Sequence, residues 1–195
     1  IIEMDPLRKY IRNVLVESVV EPIKIQIQNP PEDSLSELME VISQYQNRYN
    51  PEELLEDLDN NMEAVFDAVL QENGHASQEQ KIAFMKRAPL DIIFELKDLY
   101  KRPRPGTVAK TLGINWKGDG ESMKTDDSYA YPSGHTCQAY YIALRLSEEH
   151  PRLSKQFFQV AEMVAQSRID RGVHFPSDLE AGKSLAFQLY QQGII

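Results

Sequence analysis

Apolar residues recur at helical spacing through most of the chain. Leu54, Leu58, Met62, Val65, Phe66 and Val69 fall three and four positions apart, which predicts a core-facing stripe. "SLSE" (Ser34 to Glu37) and "SQEQ" (Ser77 to Gln80) read as capping boxes, and "NPEE" sets Asn50 at an N-cap with Pro51 first in the helix. Pro89 divides the next apolar segment into helices of about 77–88 and 89–101. Further helices are predicted at about 135–149, 153–170 and 176–192. Between these groups, "RPRPGTVAKTLGINWKGDGESMKTDDSYAYPSG" has no sustained period and reads as a long ordered loop, the kind of segment that often carries function. Alternation typical of a strand is confined to a weak "IKIQIQ" at Ile23 to Gln28, and the first thirty residues read as a helix followed by an extended arm ending at "NPPED". The expectation is all-α: a single-domain helical bundle over 1–195, with arm and helices in 1–50, a main core over 77–192 and a long loop before the "PSGH" helix.

One stripe ends against expectation. Phe157, Val160 and Val164 lead, on the same helical face, to Arg168. A buried guanidinium is costly unless an anion meets it, so either the protein or a ligand must supply one.

Composition narrows what that ligand can be. The net charge of −9 argues against a nucleic-acid partner, which usually meets a basic face. It also makes any local cluster of Lys and Arg more notable. No apolar run approaches the roughly 20 residues needed to span a bilayer, so membrane insertion is not expected. The single cysteine, Cys137, excludes an internal disulfide framework and reads as a small core residue. The chain starts at Ile1 rather than Met and shows no signal-peptide pattern, which reads as a processed or trimmed form.

Three clusters carry chemistry. "KDLYKRPRP" holds Lys97 and Arg104; taken alone, Lys97 reads equally as a lysine snorkelling from an apolar stripe at a basic helix end. "AYPSGHT" sets Ser133 and Gly134 just before a helix beginning near His135, either an anion seat at a helix N-terminus or a turn capped by serine. "SRIDRGVHFPSD" places His174 just outside a helix opened by Pro176, with Asp178 in its first turn. Asp178 can reach back over the helix start and accept a hydrogen bond from His174, leaving the other ring nitrogen basic; the plainer reading is a capping Asp beside a loop histidine. Together the clusters hold the groups that bind a tetrahedral oxyanion. A zinc site at His135, His174 and Asp178 is the competing idea, disfavoured because the surrounding cations would repel a metal ion.

The sequence Lys97-x6-Arg104-Pro105, Pro132-Ser133-Gly134-His135, Ser167-Arg168-x5-His174-x3-Asp178 resembles the three-part signature of the type 2 phosphatidic acid phosphatase superfamily. That superfamily includes soluble bacterial class A acid phosphatases, membrane lipid phosphatases and vanadium haloperoxidases, and the likeness is greatest to the first. The resemblance implies an all-helical fold and a metal-independent phosphomonoester hydrolase, with His174 as nucleophile forming a phosphohistidine, Asp178 orienting it and His135 as acid and then base. It further implies that Lys97, Arg104, Ser133, the Gly134 backbone and Arg168 hold the phosphate, which would then be the anion that meets Arg168. No cofactor is implied; vanadate would act as an inhibitor. The implied partner is a small phosphorylated substrate, with self-association left open. The implied setting is soluble, periplasmic or secreted. Two alternatives stand beside this. One is a vanadium-dependent haloperoxidase, with vanadate as cofactor on His174, disfavoured by the short chain. The other is a non-catalytic phosphate-binding helical protein. Asp170 and Arg171 depart from the pattern, and Asp170 is a candidate internal partner for a site arginine.

Overall fold

The computed structural model describes residues 25–120 and 128–193. Helices follow one another as α1 (Leu35–Gln46), α2 (Glu52–Asn60), α3 (Met62–Glu72), α4 (Glu79–Arg87), α5 (Leu90–Tyr100), α6 (Pro105–Thr111), α7 (Gly134–Glu149), α8 (Ser154–Asp170) and α9 (Pro176–Gln191). The architecture is all-α, as the periodicity predicts, and among the described residues there is no strand. The predicted pairs on either side of Pro89 and the three C-terminal helices all form within two residues of their expected bounds.

Three expectations change. The stripe from Leu54 to Val69 is carried by two helices, because the backbone breaks at Asn61 (φ −125°, ψ 31°). The Asn61 side chain donates to Asp57 Oδ1 at 3.0 Å, a local bond of the kind that competes with helix continuation. The stripe still packs, with Leu58, Met62 and Phe66 buried in the main core.

The capping boxes do not close. Asp33, not Ser34, accepts from the Leu35 N–H, at 2.8 Å. Ser34 and Glu37 both accept from Arg102 instead. Ser77 donates to Asp67 at 2.7 Å, and α4 begins only at Glu79. Pro51 flanks α2 rather than opening it, and Asn50 donates to Asp170 at 2.5 Å. Short polar side chains near helix starts are drawn to distant partners, which spacing along the chain does not reveal.

The long loop also contains a helix, α6, with Pro105 at its first position. Val108 and Ala109 explain it: they pack into a small second core with Leu38, Val41, Ile169 and Phe175. Residues 121–127 of that loop lie outside the described residues, as do the predicted N-terminal helix and the first two residues of "IKIQIQ". From Ile25 to Pro31 the arm has no regular secondary structure. Gln26 N donates to Gln188 Oε1 at 2.8 Å, and Gln188 Nε2 donates to Gln26 O at 2.9 Å.

Helix α7 is the central element, packed along α8 and α9 and touched by α4. Cys137 is buried within it, and burial pushes its thiol pKa up, as expected of a core residue. The close approach of α9 depends on Gly182: a Cβ there would lie 2.5 Å from Ser133 O and 3.2 Å from Cys137 N. That contact sets the start of α9 beside the start of α7. Ser133 N also donates to Asp178 O at 2.9 Å, so the second and third clusters are stitched by backbone.

Candidate active site

Lys97, Arg104, Gly134, His135, Arg168 and His174 line one cavity of about 540 Å³, beside Asp59, Ser128 and an apolar wall from α5. These residues come from α2, α5, the start of α6, the N-terminus of α7, the end of α8 and the turn before α9. The cavity therefore lies where several helix ends converge, and Gly134 places the positive end of the α7 dipole at its edge.

His174 is 2% exposed. Its Nδ1 lies 3.2 Å from Asp178 Oδ2 and its Nε2 lies 2.8 Å from Arg104 Nη1. A guanidinium can only donate, so Nε2 carries the lone pair and Nδ1 carries the proton that goes to Asp178. This is the tautomer a nucleophilic Nε2 requires. Asp178 Oδ2 also accepts from Phe175 N at 2.9 Å, so the carboxylate reaches back over the start of α9 as the sequence predicts. Burial lowers the His174 pKa well below its ordinary range, and the Arg104, Lys97 and Arg168 cations act the same way. Burial pushes Asp178 up, against the opposing pull of Arg102.

Arg104 is held by Ser128 O at 2.9 Å and Val173 O at 2.8 Å. Lys97 is buried; its Nζ donates to Tyr129 O and, at 3.5 Å, to Ala130 O, so it does not snorkel. Ser133 stands apart from the cavity wall. Its Oγ accepts from Thr136 N at 3.4 Å and from Thr136 Oγ1 at 2.9 Å, which is the helix-cap arrangement.

Arg168, the charge that closes an apolar stripe, has a partner within the protein. The anion that meets it belongs to the protein: Arg168 Nη1 donates to Asp59 Oδ1 on α2. The same oxygen lies 3.1 Å from His135 Nε2, which is also 3.2 Å from Asp59 O. Burial acts to raise the Asp59 carboxyl, yet the His135 hydrogen bond and the Arg168 charge outweigh it and hold the group well below the carboxylate range. Burial draws Arg168 down to about 10. Its Nε is buried without a hydrogen-bond partner. Asp170, the candidate competitor, instead accepts from Asn50 and, at 2.9 Å, from Gln166. Arg171 faces Glu52 at 3.1 Å and Asp119 at 3.6 Å, away from the cavity lining.

A second residue outside the predicted set is Arg102. It donates to Asp178 Oδ1 at 2.6 Å, to Ser177 Oγ at 2.7 Å and to Glu37 Oε2 at 2.7 Å, with its guanidinium 4.2 Å above the Phe175 ring. Two relays of the same composition thus flank the cavity: Arg102–Asp178–His174 and Arg168–Asp59–His135.

An all-helical bundle with a cavity lined by cations and two histidines at its helix ends is the class these features define. Residues 82–190 match the PAP2 superfamily, the type 2 phosphatidic acid phosphatase group, and the chain belongs to it. It is 39% identical over 87 residues to a non-specific acid phosphatase of Salmonella typhimurium, covering 45% of this chain and 34% of that protein. It is 32% identical over 90 residues to the non-specific acid phosphatase of Providencia stuartii, covering 46% and 35%. To an acid phosphatase of Zymomonas mobilis it is 34% identical over 100 residues, covering 51% and 37%. The chain thus spans little more than a third of the length of these relatives. A transmembrane PAP2-type phosphatidylglycerolphosphate phosphatase from Bacillus subtilis shares the fold, with a TM-score of 0.51 at 20% identity over 80% of this chain and 81% of that one. Among the described residues no helix is long and apolar enough to cross a membrane.

Proposed function

We propose that this chain hydrolyses phosphomonoesters through a phosphohistidine on His174, without a metal. The carrying observation is the His174 Nε2 lone pair, fixed by Arg104 on one side and by the Asp178-bound proton on the other, at a cavity shared with Lys97, Arg168 and His135. Acid phosphatases among the relatives support the same reading.

The substrate phosphoryl group sits among Lys97, Arg104, Arg168 and the Gly134 N–H, with Ser133 holding the turn that presents Gly134. As the phosphate arrives, Arg104 exchanges the His174 lone pair for a phosphate oxygen and frees Nε2. Nε2 attacks phosphorus, the P–O bond to the leaving group breaks, and its electron pair leaves with the alkoxide or phenoxide oxygen. His135 gives that oxygen a proton. It then takes one from water as the water attacks the phosphohistidine, and the P–N bond breaks to release phosphate. Such a transition state needs positioning and charge stabilisation above all, which this cavity offers. The leaving group lies against Leu90, Ile93 and Phe94 on α5. A periplasmic or secreted setting goes with this reading on the family resemblance.

Phosphate release from p-nitrophenyl phosphate, resistant to EDTA and inhibited by vanadate, is the expected result. Bromide oxidation by peroxide in the presence of vanadate, with no phosphate release, would give the site to haloperoxidase chemistry instead.

A further inference from the structure

A carboxylate is out of place in a cavity that binds phosphate, since it repels the substrate and competes for the arginine. Asp59 is nonetheless the one carboxylate among the described residues lining this cavity, and it is 7% exposed. Its position explains why it is there. The charged or titratable groups that share this cavity with His135 are Lys97 from α5, Arg104 from the start of α6, Arg168 from α8, His174 from the turn before α9, and Lys86 from α4. Lys86 is neutralised by Glu63 of α3 at 2.7 Å. Of the remaining cations, Arg168 favours a neutral imidazole at His135. A neutral imidazole cannot protonate a leaving oxygen.

We propose that Asp59 is the positioning residue that orients His135 and favours its protonated form for leaving-group departure, with Arg168 holding the carboxylate in place. The inference rests on the phosphatase reading above and extends it. Asp59 Oδ1 and O both accept from the same ring nitrogen, at 3.1 and 3.2 Å, so the ring is oriented as well as charged. Burial and the Arg168 charge draw the His135 pKa below its ordinary value, and Asp59 is the group acting in the other direction. The Arg168 guanidinium fixes Asp59 as an anion, much as Arg102 does for Asp178. Asp59 thus couples the phosphate seat to the acid: the arginine that binds the transferring group also anchors the carboxylate that holds the proton.

The test is Asp59→Asn in the 195-residue chain, which keeps shape and removes charge. With 2-glycerol phosphate, whose alkoxide needs a proton to leave, kcat/KM should fall on the order of 100-fold, while p-nitrophenyl phosphate, which leaves without one, should lose less than about tenfold. The alkaline limb of the pH profile should move to lower pH, and inorganic phosphate should inhibit more tightly because its competitor is gone. Asp59→Glu, retaining the charge, should restore part of the glycerol phosphate rate. Equal losses with both esters, an unmoved limb and weaker phosphate inhibition would overturn the proposal and leave Asp59 a purely structural partner of Arg168. If Asp59→Asn does not fold, the unaltered protein answers: a downfield, slowly exchanging Nε2 proton resonance that disappears in His135→Asn is expected, and its absence refutes the pairing. Wild-type chain that hydrolyses neither ester would sink the phosphatase reading itself, a separate outcome.

Discussion

Arg102 Nη1 and Asp178 Oδ1 meet at 2.6 Å, on the side of the carboxylate away from His174, with both side chains almost wholly buried. Asp178, the partner of His174 Nδ1, is therefore itself anchored, and through Arg102 it is tied to Glu37 on α1 and Ser177 on α9. Removing one member of a buried ion pair leaves the other charge uncompensated. Arg102→Met should destabilise the fold by about 3–5 kcal/mol, and Arg102→Lys by less, since it keeps the charge but loses the fork. Urea denaturation of the two variants checks the order. Equal stability of Arg102→Met and wild type would show that the Arg102 clamp contributes nothing.

The pH response follows from the two histidines. Both are held below the ordinary imidazole value of 6.5, first by burial. Between the folded and unfolded pKa the unfolded chain binds more protons, so stability rises with pH in that window. The contribution is complete above about 6.5 and is lost as pH falls toward the folded values. Denaturant midpoints should therefore drop between about pH 7 and pH 5, and His174→Gln should flatten that slope. Asp178, raised by burial, acts in the opposite sense, which is why the comparison with the variant, rather than the raw slope, isolates His174. With His135 as the acid proposed above, the alkaline limb of kcat/KM, set by loss of its proton, should lie below 6.5 and give an acid optimum.

Much of this site was legible in the chain, and the exceptions share a cause. Lys97, Arg104, Gly134, His135, Arg168 and His174 converge because their spacing relative to helix starts and ends fixes where each points. Arg168 was conspicuous as a charge closing an apolar stripe. Its partner carried the mirror signal: Leu55, Leu58 and Asp59 stand three and four apart on the buried face of α2, an acid where an apolar residue belongs. Pairing the two required knowing that α2 crosses α8, which is tertiary information. Arg102 was hidden differently, as one cation among several in "KDLYKRPRP" with nothing local to mark it. The caps at Ser34, Ser77 and Asn50 failed for the same reason, because their polar groups meet residues remote in sequence.

The apolar wall makes a prediction about leaving groups. Phe94 lines the cavity yet is 51% exposed, so its ring is free to cover a bound aryl group. Phe94→Ala should raise KM for phenyl phosphate by up to roughly tenfold, about 1.4 kcal/mol of lost apolar burial. Glycerol phosphate, with little apolar surface, should be almost unaffected. Parallel Michaelis curves for the two esters check this, and matched changes would mean that Phe94 is not part of a leaving-group subsite.

Gly182 joins fold and site most directly. Its missing Cβ lets α9 approach the turn before α7, where a methyl group would sit 2.5 Å from Ser133 O and 3.1 Å from Thr136 Cβ. Neither neighbour is a flexible side-chain end, so relief requires a helix to move. That movement would stretch the Ser133 N to Asp178 O bond and with it the distance between Gly134 and His174. Gly182→Ala should therefore cost about 1–3 kcal/mol of stability, as overpacking typically does. Its loss of kcat should exceed what that stability change explains when both are measured at a temperature where the variant remains folded. A variant with full kcat would mean that the junction of α7 and α9 tolerates displacement, and that the cavity is positioned by α8 and the α6 segment instead.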